Sequence, residues 1–291
     1  MSSDPKSSQP DSPPLDPAEV ERAVARALAE DYRGLDLTGR AALDELDCRA
    51  RVVGREAGVL CGVPLALEVF RQVDERVAFR PCRQDGGPVL PDATLAWVGG
   101  PARAVLAGER TALNFLQHLS GVASLTARYV EIARPYGVAI LDTRKTTPGL
   151  RQLEKYATRC GGARNHRMGL FDAILIKDNH IDLGGGLESV LARVLRSHSP
   201  GEVEVEVRSS SELEGALRFG VGRVLLDNFT PEMVGEAVAR VGGRALVEVS
   251  GGVTLETLAA FAAAGPDYVS VGRLTHSAPA LDLALEVDRE R

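Results

Sequence analysis

From Val138 onward, short apolar runs alternate with stretches whose apolar residues recur at helical spacing. The runs are VAILD (138–142), AILIK (173–177), VEVEV (203–207), RVLLD (223–227), ALVEVS (245–250) and DYVSVG (267–272). Strands separated in this way predict a parallel sheet joined by crossover helices. Six candidates fall short of the eight that close a (β/α) barrel, so the expected architecture is α/β with an incomplete (β/α) barrel. A doubly wound open sheet is the alternative; the lack of a GxGxxG after the first strand counts against it.

Upstream the pattern differs. Asp16-Pro17-Ala18-Glu19 supplies an N-cap, a proline at the first helical position and an acid three residues after the cap. Val20, Val24, Ala27 and Leu28 then share one helical face. From about Cys48 to Ala107 the short runs RVVG, GVLCGV and ERVAFR are split by Gly and Pro, which predicts a small strand-rich α+β unit. Glu109 opens a helical region with Leu113, Leu116, Leu119, Leu125, Tyr129 and Ile132 on its buried face. An interruption is expected at Ser120-Gly121 and an end at Pro135-Tyr136-Gly137. The expected organisation is a polar, proline-rich leader over 1–15, an N-terminal α+β unit over 16–108, and a barrel over 109–275. A final segment, 276–291, is expected to pack back on the N-terminal unit.

Composition narrows the class. The 291 residues are 44% hydrophobic and 25% charged with net charge −6, which describes an ordinary globular protein and argues against nucleic acid as a partner. The longest charge-free stretch, Thr111–Ala127, is interrupted by Asn114, Gln117, His118 and Ser120, so no membrane span is expected. Cys48, Cys61, Cys82 and Cys160 lie far apart without a CxxC pair and read as reduced thiols of a cytoplasmic protein.

Against that acidic background, cations gather between Leu141 and His180. Arg144 and Lys145 follow Thr143 at the end of the first strand, and Thr146-Thr147-Pro148 is expected to begin a helix whose N–H groups would add to an anion site. His166 and Arg167 follow the Cys160-Gly161-Gly162 loop. Lys177 ends an otherwise apolar strand, where burial without an anion would be costly. Asp178, His180 and Asp182 alternate as metal ligands do, but they read better as loop groups and a helix cap.

Glu204 and Glu206 share one strand face, and Asp227 ends the next strand. Two carboxylates at neighbouring strand ends suit ribose hydroxyls, Mg²⁺ or a developing cation. Ser250-Gly251-Gly252 and Val271-Gly272 follow the last two strands, a frequent phosphate-binding location in barrels.

Together, ERTALNFLQHLSGVAS, LDTRKTTPGLRQLEKYA, GGARNHRMGLFDAILIKDNHI, EVEVEV, LLDNF, EVSGG and DYVSVGRLTHSA resemble the quinolinate phosphoribosyltransferases, also called nicotinate-nucleotide pyrophosphorylases (carboxylating). The likeness runs from about Glu109 to Leu285. Before Glu109 it is looser: ALAEDYRGLDLTG stands where the family more often reads like EDLGxGDIT. The resemblance implies condensation of quinolinate with phosphoribosyl pyrophosphate, assisted by Mg²⁺, to nicotinate mononucleotide, pyrophosphate and CO₂. It also implies a homodimer or higher oligomer in which an N-terminal α/β sandwich caps the neighbour's barrel and Arg110 reaches into the partner's site. By the same resemblance, Arg144, Lys145, His166, Arg167 and Lys177 hold the substrate carboxylates and phosphates. Glu206 and Asp227 face the ribose and the metal, and Ser250, Gly251, Gly252, Val271 and Gly272 meet the 5′-phosphate, with Thr143 beside them. Lys145, Lys177, Glu206 and Asp227 are the expected catalytic residues. The number of cations suits a diacid better than nicotinate.

Overall fold

The computed structural model describes residues 15–288, and the chain divides into two compact units. The first runs to Ser120 and includes the residues from Ala280; the second spans Gly121–Pro279. Nearly all of the expected leader lies outside the described residues.

The first unit is built on an antiparallel sheet in the order Leu283–Val287, Asp47–Gly54, Thr94–Pro101, Ala78–Pro81. Ala50 and Val52 of the central strand and Ala96 and Val98 of its neighbour are buried. Helix Pro17–Asp31 begins where the cap signal places it, with the Asp16 side chain accepting from Ala18 N. Glu19 pairs with Arg22 at 2.8 Å. The run GVLCGV is extended only at Gly58–Val59; the chain turns at Gly62 (φ +105°) and forms helix Val63–Val73. Leu65, Ala66, Val69 and Phe70 are its buried face, a helical spacing that the short apolar run before it obscured. Asp85 accepts from Gly62 N and Val63 N at 3.0 Å, satisfying donors that an N-terminus leaves open.

The Glu30–Gly39 segment reverses direction through Arg33 (φ +48°) and Gly34 (φ +77°). Asp36 then accepts from Gly39 N and caps the short helix Leu37–Ala42.

The helix expected from Glu109 begins at Ala102 and runs unbroken to Ala133. Ser120 does not interrupt it, because its hydroxyl accepts from Cys61 N at 2.9 Å and donates to Cys61 O at 3.2 Å, sparing the helical backbone. The position between residues 108 and 109 therefore lies inside one helix, and the two units divide after Ser120.

The second unit carries six parallel strands in the order Ala139–Leu141, Tyr268–Ser270, Leu246–Ser250, Arg223–Asp227, Val203–Val207, Ile174–Ile176. These are the six expected strands, several trimmed at their ends. Ser250 lies beside both Asp227 and Ser270, and Ser270 beside Leu141, so the C-terminal ends stand level. The outermost strands, Ala139–Leu141 and Ile174–Ile176, share no ladder, and the sheet stays open between them.

Alternation divides the sheet into two buried faces. Val203, Val205, Val207, Val224, Leu226, Val247 and Val249 join the hydrophobic core with helix residues Leu191, Leu213, Val234 and Leu258. The opposite positions carry Glu204, Glu206, Arg223, Asp227, Glu248 and Ser270 beside Leu225, Leu246 and Tyr268, so that face brings most of the unit's buried charge together.

Candidate active site

A cavity of about 590 Å³ opens at the C-terminal strand ends of the second unit. Thr143, Arg144, Lys145, His166, Arg167, Lys177, Glu206, Asp227, Ser250, Gly251, Gly252, Val271 and Gly272 all line it. Arg110 does not; it is exposed on the long helix. The lining adds Arg273, His276, Glu248 and Ser270, which sequence reasoning left out. Arg144, Lys145, Arg167, Lys177 and Arg273 face only Glu206, Asp227 and Glu248, so the cavity is cationic in an acidic protein.

The cationic loops rest on a buried polar anchor. Asp142, fully buried, accepts from Lys155 Nζ, from Thr158 Oγ1 at 3.0 Å, from His166 N at 2.9 Å and from Asn165 Nδ2. Lys155 Nζ also donates to His166 O at 2.9 Å. Asp142 thus ties the loop carrying Arg144 to the loop carrying Arg167. Lys155 had no local signal beyond its place in a helical segment.

The expected helix at Thr146 starts instead at Arg151. Thr147 N donates to Glu154 Oε2 at 3.0 Å, so the intervening loop offers no helix terminus to an anion. Anion affinity must come from the side chains. Arg144 Nε is buried and, among the described residues, has no hydrogen-bond partner. Burial, followed by the Arg144 charge, lowers the pKa of the Arg167 guanidinium. Two crowded guanidiniums, one holding an unused donor, are an arrangement that an anion relieves.

At the next strand ends Lys177 Nζ donates to Glu206 Oε2. Lys177 is partly exposed rather than sealed in, while Glu206 is buried. Burial first, and Glu206 second, push the Asp227 carboxyl up. His180 Nδ1 accepts from Lys177 N at 2.9 Å and serves as a cap, in accord with the non-metal reading of Asp178, His180 and Asp182.

Gly251 (φ +102°) and Gly252 (φ +64°) let the Ser250 loop line the cavity, and a Cβ at Gly251 would clash with Asn228 Oδ1. At Gly272 a Cβ would lie 2.9 Å from Lys145 Cδ, so glycine leaves the lysine its path.

His166 departs from expectation. Its Nδ1 accepts from Arg167 N at 2.7 Å, and its Nε2 lies 3.4 Å from Glu204 Oε2 and 3.6 Å from Glu248 Oε1. Both ring nitrogens are engaged by the protein, so the ring lines the cavity without offering it a free nitrogen. Burial opposes the imidazolium, but the two carboxylates outweigh it and raise the His166 pKa. Ligand atoms of His166, Glu204 and Glu248 lie within 4.8 Å of one another, and Arg223, 3.1 Å from Glu248 Oε2, supplies the positive charge there. Ser270 Oγ is hydrogen-bonded to Glu248 Oε1.

Residues 122–286 match the family model "Quinolinate phosphoribosyl transferase, C-terminal domain", and residues 36–120 match the corresponding N-terminal domain. A probable nicotinate-nucleotide pyrophosphorylase [carboxylating] of Bacillus subtilis is 38% identical over 271 residues, 92% of this chain and 93% of its own. A chloroplastic nicotinate-nucleotide pyrophosphorylase [carboxylating] of Arabidopsis thaliana is 38% identical over 96% of this chain and 86% of its own. The solved nicotinate-nucleotide pyrophosphorylase of Francisella tularensis superposes with TM-score 0.90 at 39% identity, covering 99% of this chain and all of that one.

Proposed function

The chain belongs to the quinolinate phosphoribosyltransferase family, whose members transfer phosphoribosyl from phosphoribosyl pyrophosphate to quinolinate with decarboxylation, and we propose how its own residues divide that work. The reaction yields nicotinate mononucleotide, pyrophosphate and CO₂, a step of NAD synthesis. The observation that carries the assignment of the site is the gathering of five Arg and Lys side chains with Glu206 and Asp227 in one cavity at the strand ends.

Arg144, Arg167 and Lys177 hold the two carboxylates of quinolinate, with the His166 ring packed beneath as part of the wall. Lys145, Ser250, Gly251, Gly252, Val271 and Gly272 receive the phosphates, and Thr143 supports the Lys145 loop by accepting from Lys145 N at 3.0 Å. As pyrophosphate departs, the ribose carbon becomes electron-poor, and Glu206 and Asp227 stabilise that charge. Fixed orientation of the pyridine nitrogen toward the anomeric carbon does most of the rest. Once N-ribosylated, the ring accepts the electron pair left behind by CO₂, so no protein nucleophile is needed.

Glu206 and Asp227 also fit Mg²⁺. One Glu206 oxygen is engaged by Lys177 and one Asp227 oxygen accepts from Asn228 at 2.8 Å, which leaves each carboxylate an oxygen for a hard cation or its water. Bound there, Mg²⁺ would neutralise pyrophosphate charge.

Arg110 completes the reading. Exposed on its helix and outside the lining of the cavity, it is assigned to the site of a second subunit in a homodimer or larger assembly. No helix among the described residues is long and apolar enough to cross a membrane. The cytoplasmic assignment rests on the four separated cysteines.

Release of ¹⁴CO₂ from carboxyl-labelled quinolinate tests the reaction in one tube. Release should require both phosphoribosyl pyrophosphate and a divalent cation. Labelled quinolinate left intact by folded oligomer, with nicotinate or another pyridine acid ribosylated instead, would replace quinolinate as the acceptor.

A further inference from the structure

Two guanidiniums that share a cavity repel each other, and loops free to move would carry them apart. The pKa of Arg167, lowered by burial and then by the Arg144 charge, registers that repulsion. Asp142 braces one flank of both loops, and the opposite flank is braced by a residue outside the cavity. We propose that Arg151 is the positioning residue that sets the separation of the Arg144 and Arg167 guanidiniums, and through it the preference for two carboxylates on adjacent ring atoms. This rests on Arg144 and Arg167 holding the quinolinate carboxylates, as in the function proposed above.

Arg151 is the first residue of helix Arg151–Cys160, half-buried and not among the residues that line the cavity. Its Nε donates to Thr146 Oγ1 at 3.0 Å, its Nη1 to Met168 O at 3.2 Å and its Nη2 to Arg144 O at 3.4 Å. One rigid fork thus joins the loop that carries Arg144 to the loop that carries Arg167. Met168 is also held at its nitrogen, which donates to Asp172 Oδ2 at 2.6 Å. Arg167 therefore stands between two fixed points, His166 N on Asp142 and Met168 O on Arg151. Arg144 likewise stands between Asp142 itself and the Thr146 hydroxyl. All three acceptors of Arg151 are neutral oxygens, so its fork supplies direction in these contacts and no ion pair.

The phosphate side has its own supports. Thr275 Oγ1 donates to Lys145 O at 2.7 Å, and Lys145 N donates to Thr143 Oγ1 at 3.0 Å. Lys145 keeps its place by these contacts without Arg151, so loss of the fork should be felt at the carboxylates and spare the phosphates. The carboxylates of quinolinate occupy adjacent ring atoms and crowd each other, so one turns out of the ring plane. Guanidiniums held at one separation and tilt can meet both groups; a diacid with its carboxylates one atom further apart needs a wider pair.

Calorimetric binding of phthalate and isophthalate, the 1,2- and 1,3-dicarboxylates of benzene, tests this on wild type, Arg151→Gln and Arg151→Lys, with steady-state kinetics beside it. The wild type should prefer phthalate, and both variants should lose most of that preference. Their kcat/KM for quinolinate should fall about 10²-fold, the cost of misplacing a substrate-holding group by about 1 Å, while the KM for phosphoribosyl pyrophosphate stays near the wild-type value. Equal losses for both diacids and for phosphoribosyl pyrophosphate would make Arg151 merely structural and overturn the proposal. Wild-type selectivity in Arg151→Lys would overturn it too, because the charge alone would then suffice. Should Arg151→Gln not fold, Arg151→Lys decides by the same ratio. A wild type that binds phthalate selectively but leaves quinolinate unreacted would remove the transferase reading, while the selectivity of the variants still decides the role of Arg151.

Discussion

Arg144 holds a buried Nε with no partner among the described residues beside a second guanidinium, and the proposed contact with a dianionic substrate would relieve that local frustration. Removing one partner of a desolvated charge pair typically costs about 2–5 kcal/mol. Arg144→Ala should therefore raise the quinolinate KM, or lower kcat/KM, by more than about thirtyfold, as steady-state kinetics would show; near-wild-type kinetics would reassign the residue. Glu248 makes a second prediction. Its folded pKa, about 7, lies above the ordinary carboxyl value of 4.5, so the unfolded chain releases the proton first as pH rises. The stability it contributes is complete below about pH 4.5 and is lost as pH climbs through about 7. Thermal unfolding should show Glu248→Gln gaining on the wild type across that window, by an amount of order 3 kcal/mol, and staying level above it. Parallel curves from pH 5 to pH 8 would show that Glu248 is ionised throughout.

At the scale of elements, the loops that carry the cations are held by Asp142 and Lys155, both fully buried. Lys155→Met leaves a buried carboxylate uncompensated and should cost about 3–5 kcal/mol, measured by denaturant unfolding. Asp142→Asn together with Lys155→Met should recover part of that loss, because neither charge is then stranded; full additivity of the two single effects would count against the pair. The strands themselves were legible: VEVEV and RVLLD form strands over the very spans their patterns mark. The helix at Val63–Val73 was not, since a short apolar run split by glycine fits either period. The expected helix at Thr146 failed for a related reason. Thr-Thr-Pro is a good start signal, but Thr147 N is taken by Glu154 from the helix that begins four residues further on.

For the whole molecule, Arg110 is not among the residues that line the cavity, and the role proposed for it is in the site of a second copy. Mixing inactive Arg110→Ala and inactive Arg144→Ala protein tests this directly. Random pairing in a two-fold dimer restores about a quarter of the sites, because half the dimers are mixed and each has one intact site. Activity that stays at the level of the separate variants after subunit exchange would place Arg110 in its own subunit's chemistry or outside it altogether.

The sequence by itself determined the parallel strands, their polar ends and the clustering of Arg144, Lys145, Arg167 and Lys177. Period and position are local properties, and strand-end residues on one sheet necessarily come together. Only the tertiary structure decided what lies beneath them. Alternation says only that Glu204 of VEVEV shares a strand face with Glu206, yet it is buried opposite Arg223 and Glu248. Likewise His166 looked like a substrate ligand until both of its nitrogens were found engaged. Charged partners 19 to 82 residues away in the chain set those roles through burial and charge, and no spacing rule records such distances.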